Sequence, residues 1–157
     1  MKGTPPTRAE YRAECIRWMT EFEPSLFVTF VFNTQITPDA ARRKLETFHK
    51  MLDGKLVGRA ALRLPDERSV YIAIIEKPDA NLHIHALFKL TDDLQRLRFC
   101  LVAHEIWAKL VEAGNLDIQR VTCAEGVASY VTKELTPETS ERLLMPPHLE
   151  KRLSTIR

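Results

Sequence analysis

Two histidines separated by one aliphatic residue, His83-Ile84-His85, sit inside an apolar run, and a carboxylate, Glu76, precedes them by one short turn. In a β-strand, successive side chains alternate between faces. His83 and His85 then point the same way, roughly 6.6 Å apart along the strand. Leu82, Ile84, Ala86 and Phe88 point the other way, into a core. Two imidazoles on one face, with a carboxylate on a neighbouring strand, can grip one divalent cation. With open positions, such a set suits Mn2+ or Mg2+ when phosphate completes the shell, and Zn2+ would also bind. A metal held there would act as a Lewis acid on a phosphoryl oxygen. The competing reading is two half-buried strand histidines with ordinary hydrogen bonds, because a lone histidine-x-histidine is a short motif. Glu76 shares strand parity with Ile72 and Ile74, so the pattern does not fix its face. A tight turn or bulge could place it beside the histidines.

A second group of residues could supply a nucleophile. In Ser129-Tyr130-Val131-Thr132-Lys133-Glu134, Tyr130 and Lys133 are three apart and share a helical face. A tyrosine can attack phosphorus and form a covalent ester, but a protonated phenol attacks poorly. A nearby cation, the metal or Lys133, would favour its ionisation and stabilise charge building on the phosphate. The alternative is a helix tyrosine packed on the sheet with Lys133 solvated. Tyr11 and Tyr71 compete weakly, Tyr11 on the core stripe of the first helix and Tyr71 on the strand face opposite Glu76.

These residues need elements to hold them. Tyr11, Cys15, Trp18, Met19 and Phe22 recur at helical spacing and predict a helix from about 7 to 22, after Pro5-Pro6. Leu26 to Asn33 (LFVTFVFN) is β-branched and aromatic and predicts a buried strand. Thr37-Pro38-Asp39 supplies an N-cap, a first-turn proline and a first-turn acid for a helix that Asp53-Gly54 should end. Residues 55 to 69 are irregular and basic. Val70 to Glu76 and Leu82 to Leu90 predict two strands of an antiparallel hairpin around Pro78-Asp79-Ala80-Asn81. Thr91-Asp92-Asp93 caps a long helix to about Ala113, and Gly114-Asn115 stops it. A short strand from 116 to 121 and a short helix within 122 to 135 follow. Residues 138 to 157 read as a polar tail with room for one more helix. The order predicts an α+β fold with a ferredoxin-like, RRM-like core: a central antiparallel β-sheet flanked by helices.

Bulk properties agree with that scale. The 157 residues make one domain with a real core. A hydrophobic content of 45% and a charged content of 28% describe a soluble globular chain. A net charge of +2 permits a nucleic-acid partner only where basic residues cluster. Cys15, Cys100 and Cys123 are odd in number and widely spaced, fitting neither a zinc pattern nor a disulfide framework, so a reducing cytoplasm is expected. No apolar run approaches the ~20 residues of a membrane span, and no membrane partner is expected. The N-terminal residues lack an apolar signal core.

An apolar strand (LFVTFVFN), then histidine-hydrophobe-histidine (HIH), then Tyr-x-x-Lys (YVTK), in that order, resembles the HUH endonucleases. The specific likeness is to the nuclease domain of rolling-circle replication initiators of plasmids and small single-stranded DNA phages and viruses. It covers roughly residues 25 to 135 of a domain spanning 1 to 137. The resemblance implies that His83 and His85 hold the metal, that Glu76 is the third ligand and that Tyr130 nicks single-stranded DNA. The 5′-phosphate would stay on the tyrosine and a 3′-OH would be freed for priming. Lys133 matches the motif lysine. The substrate implied is single-stranded DNA at a replication origin, including a hairpin. No GxxxxGK[ST] loop is present, so a helicase, like the polymerase, would come from the host.

Chain order discriminates within that superfamily. Relaxases place the tyrosine before the histidines, whereas here it follows. Small tyrosine transposases share the order but usually offer Gln rather than Lys, and remain an alternative. So does a non-catalytic nucleic-acid-binding domain, although an RRM would display aromatics where His83, His85 and Leu87 stand. A histidine-triad nucleotide hydrolase would want a histidine at Leu87. Contacts to a single strand need a basic channel. Arg42, Arg43 and Lys44, then Arg59, Arg63 and Arg68, then Arg96 and Arg98 are candidates, each also readable as a solvated face.

Overall fold

The computed structural model describes residues 3–149 of the chain, apart from the side chains of residues 60 and 61. Helix α1 (Arg8–Glu21) opens on a capping box. The Thr7 hydroxyl accepts from the Glu10 N–H, and the Glu10 carboxylate accepts from the Thr7 N–H. Strand β1 (Leu26–Val31) follows. Helix α2 (Pro38–Leu56) is capped by Thr37 with proline in its first turn. Two 3-10 turns, Arg59–Arg63 and Pro65–Glu67, fill the basic stretch. Then come β2 (Val70–Glu76), β3 (His83–Lys89), α3 (Asp93–Leu110), β4 (Asn115–Arg120) and α4 (Ala124–Val131). A 3-10 segment, Pro137–Arg142, leads into a two-residue strand β5 (Leu143–Leu144).

The strands form one sheet in the order β4-β1-β3-β2-β5, with every pairing antiparallel. The path β1-α2-β2-β3-α3-β4 is the split βαββαβ arrangement of ferredoxin-like folds, so the expected α+β class holds. Alternation then sorts the side chains into two layers. Val28, Phe30, Ala73, Ile75, Ile84, Ala86 and Phe88 pack against Leu45, Phe48 and Leu52 of α2 and Phe99, Ile106 and Trp107 of α3. On the other face, Ile72, Ile74 and Leu87 meet Cys15 and Met19 of α1 and Ala128 and Val131 of α4. The histidine pair belongs to this second face, under α1 and α4.

Strands β1, β3 and β4 fall within one or two residues of their expected bounds, and three departures are larger. Helix α2 passes through Asp53-Gly54 to Leu56, because Leu56 still finds the core. Asp53 is wholly buried and faces inward, where it accepts from Arg68 Nε (2.9 Å) and from the Ser69 hydroxyl (2.6 Å). Helix α3 stops at Leu110 rather than near 113. Val111 turns extended, and Gly114 tucks under Trp107, where a Cβ would lie 2.7 Å from Nε1 and 2.8 Å from the Val31 carbonyl oxygen. Part of the expected tail joins the sheet as β5, paired to Ala73 and Ile74. Residues 150–157 of that tail lie outside the described residues. Cys15, Cys100 and Cys123 are free thiols. Among the described residues no helix is long and apolar enough to cross a membrane.

Candidate metal centre

The β2–β3 register pairs Glu76 with His83 and Ile74 with His85. Directly opposed residues of an antiparallel pair project to the same face. Glu76 therefore stands beside both histidines, with no bulge needed. One ligand atom from each of Glu76, His83 and His85 can be chosen so that all lie within 4.8 Å of one another. The ring centroids of His83 and His85 are 4.8 Å apart. Glu76 and His85 are buried, and His83 is partly exposed at the rim. This group could hold a metal ion.

Hydrogen bonding argues for a cation at that point. His83 Nδ1 lies 3.1 Å from the Asn81 carbonyl oxygen, which only accepts, so Nδ1 carries the proton. In a neutral ring, Nε2 then presents a lone pair to Glu76 Oε2, 3.0 Å away. His85 makes its own Nδ1 contact to the Thr29 hydroxyl, at 3.1 Å. His85 Nε2 approaches the same Glu76 oxygen to 3.2 Å, but off hydrogen-bonding direction. Among the described residues, that Nε2 and Glu76 Oε1 are both buried without a hydrogen-bond partner. Buried polar atoms left unpaired are costly. Two imidazole nitrogens and a carboxylate aimed at one point are satisfied together by a positive centre. Burial lowers the pKa of His85, with Glu76 opposing the shift and His83 and Lys133 adding to it. The neutral imidazole is the form that ligates metal.

Helix α4 brings the tyrosine to the same face. Cys123 caps it, its sulfur accepting from the Gly126 N–H, while Ala128 and Val131 anchor it on the sheet. Tyr130 keeps 50% of its surface exposed. Its ring lies 5.7 Å from that of His85 and 6.2 Å from that of Phe27, centroid to centroid. Lys133 Nζ sits over the tyrosine ring, 4.5 Å from its centre, a cation–π contact. Two arginines of α1 tie the helix down. Arg12 donates to the Ser129 carbonyl (3.0 Å) and hydroxyl (3.1 Å), and Arg8 to the Lys133 carbonyl (3.4 Å).

Five of the residues singled out in the sequence thus share one face: Glu76, His83, His85, Tyr130 and Lys133. The basic candidates do not join them. Arg42 and Arg43 lie on α2, across the sheet, and pair with Asp39 at 2.7 and 2.9 Å. Arg59 and Arg63 belong to the 3-10 turn that packs on α2. Arg68 is engaged by Asp53, and Arg96 and Arg98 lie on α3. Sequence reading passed over the β1 and β4 residues of the site face. Phe27, Thr29, His85, Asp117, Gln119 and Tyr130 line an open cleft of about 530 Å³. The one signal for Thr29 was its place as the single hydroxyl within LFVTFV. No protein-family model, no curated protein and no solved structure matches the chain, so the site is read from its own geometry.

Proposed function

We propose that this protein is a metal-dependent, site-specific single-stranded DNA endonuclease and strand transferase acting through phosphotyrosine, of the HUH kind that initiates rolling-circle replication of a plasmid or phage. One observation carries the reading. A buried Glu76–His83–His85 group lies beside the ring of a half-exposed tyrosine that carries a lysine on its face. A structural histidine pair has no need of either neighbour.

Under this reading Tyr130 Oη attacks the phosphorus. A P–O bond to the tyrosine forms, the bond to the 3′ oxygen breaks, the phenol proton passes to solvent and the departing 3′ oxygen gains a proton. The phosphodiester is exchanged rather than hydrolysed, so a 3′-OH can return and reseal or transfer the strand. Glu76, His83 and His85 would hold Mn2+ or Mg2+, which when bound supplies Lewis-acid stabilisation of the phosphate oxygens. Thr29 and the Asn81 carbonyl fix the ring orientations of the two histidines, as outer partners of metal-binding imidazoles do. Lys133 places positive charge beside the tyrosine. The cleft between β4 and α4 gives a single strand room to reach Tyr130 along Phe27 and Gln119.

The test incubates the protein with a single-stranded oligonucleotide library containing origin-like hairpins, with Mn2+, and resolves the products on a denaturing gel. The expected result is a protein–DNA adduct that disappears in Tyr130→Phe and in His83→Ala or His85→Ala. An adduct that survives Tyr130→Phe removes the nucleophile assignment. Unchanged cleavage in the histidine variants removes the metal assignment.

A further inference from the structure

The outer face of α3 carries Leu94, Leu97 and Leu101, which keep 55%, 57% and 70% of their surfaces exposed. They recur at i, i+3 and i+7, and the row continues through the exposed His104 to the exposed Ala108. The stripe runs for about 21 Å at 1.5 Å per residue. It lies opposite Phe99, Ala103, Ile106 and Trp107, which already anchor α3 in the core, so among the described residues nothing covers it. Long apolar side chains aligned in this way mark contact surfaces.

The charges beside the stripe select the occupant. Arg98 and Glu105 are both exposed and lie on the same flank, seven residues apart with opposite signs. Two copies of α3 running antiparallel about a two-fold near Leu101 set each Arg98 against the partner's Glu105. Leu97 then meets the small Ala108 of the partner subunit, and Leu101 packs beside the partner's His104 next to the axis. A parallel pairing brings the same residues to the same level and loses this match. Within its own helix Glu105 pairs with Lys109 at 3.2 Å, both side chains being exposed.

We propose that this stripe is a self-association surface through which two copies of the chain pair, α3 against antiparallel α3. Such an interface buries on the order of 1,000 Å² in all, at the lower edge of specific interfaces, so the dimer is weak and concentration-dependent. α3 lies across the sheet from Glu76, His83 and His85, so pairing leaves both metal centres and both tyrosine clefts open. The inference does not depend on the chemistry proposed for that site.

Sedimentation velocity over about 1 to 300 μM tests it, a range that brackets weak dimers. The wild-type protein should move from monomer to dimer across the range, and Leu97→Glu/Leu101→Glu should stay monomeric with an unchanged circular dichroism spectrum. Arg98→Glu should weaken association at least about tenfold. The double variant Arg98→Glu/Glu105→Arg should recover it, a readout that general stickiness would not give. A wild-type protein monomeric at the highest concentration, association unaffected by the leucine changes, or no recovery in the charge swap would each overturn the proposal.

Discussion

Glu76→Gln separates a metal ligand from a structural anchor because the two roles predict opposite signs. In the absence of metal, Glu76 Oε1 is buried and has no hydrogen-bond partner among the described residues, and Oε2 lies 3.0 Å from Nε2 of His83, the ring whose Nδ1 is held by the Asn81 carbonyl. Leaving a buried charged acceptor unsatisfied costs about 1–3 kcal/mol. A glutamine carries no charge, and its amide can donate to the nitrogen that the carboxylate only opposes. Removing part of that cost should stabilise the metal-free protein by about 1 kcal/mol, a rise in Tm of about 2–4 °C for a domain of this size. Metal should act in the other direction. Mn2+ at one hundred times its Kd stabilises the native state by about 2.7 kcal/mol, or roughly 5–10 °C. The variant should lose most of that shift. Thermal unfolding with EDTA and with Mn2+, read for both proteins, gives all four numbers. A Glu76→Gln protein that melts lower in EDTA, or keeps the wild-type metal shift, refutes the argument that Glu76 is held in the fold at a cost for the sake of a cation.

Three further outcomes follow from particular contacts. Lys133→Met should slow adduct formation by about 10²-fold, as loss of one stabilising charge does, while leaving the Mn2+ shift in Tm intact; a lost metal shift would show that Lys133 acts through the metal centre instead. His49 accepts from Arg68 Nη2 at Nδ1 (2.9 Å) and donates from Nε2 to the Ser69 carbonyl (2.8 Å), and burial, with smaller contributions from Arg68 and His148, lowers its pKa to about 4 against the pull of Asp53. Its folded pKa lies below the unfolded value near 6.5, so its stabilising contribution of about 3 kcal/mol is complete above pH 6.5 and is lost as pH falls toward 4; urea unfolding at pH 7.5 and 4.5 should show this loss, and His49→Gln should not share it. Gly114→Ala should cost about 1–3 kcal/mol by overpacking, since the new methyl meets the Val31 backbone oxygen as well as Trp107; a neutral result would mean that the β1–α3 contact is looser than drawn.

The fold was legible wherever period and punctuation agreed. Thr37-Pro38-Asp39 started α2 as read, and the β2–β3 hairpin fell where its apolar runs and turn residues placed it. The errors have a common cause, which is tertiary contact outweighing local signal. Gly54 is a helix stop only if nothing beyond it has reason to stay helical, and Leu56 has the core. Gly114 marks close packing under Trp107 several residues after α3 has ended. Leu143–Leu144 is too short for any period, and becomes a strand only because the edge of β2 is there to receive it. The place of the basic residues was hidden for a different reason: sequence shows that Arg42 and Arg43 are near each other but not which side of a sheet their helix covers.

The face of Glu76 was the undetermined quantity, and its cause is specific. Both faces of β2 are buried, so Val70 to Glu76 reads as a continuous apolar run with no polar–apolar alternation to orient it. Orientation then rests on register. With residues 77–82 in the connection, Glu76 opposes His83 and shares its face. A slip of one residue would send the carboxylate to the opposite side, that of Ile75, Leu82 and Ile84. The hairpin connection settles it, with Lys77 and Asn81 both in the left-handed region at φ 50° and 57°. The Asn81 carbonyl at its end also fixes the tautomer of His83. The six residues between the ligands are therefore part of the site. Inserting one glycine between Asp79 and Ala80 should abolish the Mn2+ shift in Tm while every ligand is still present in the chain.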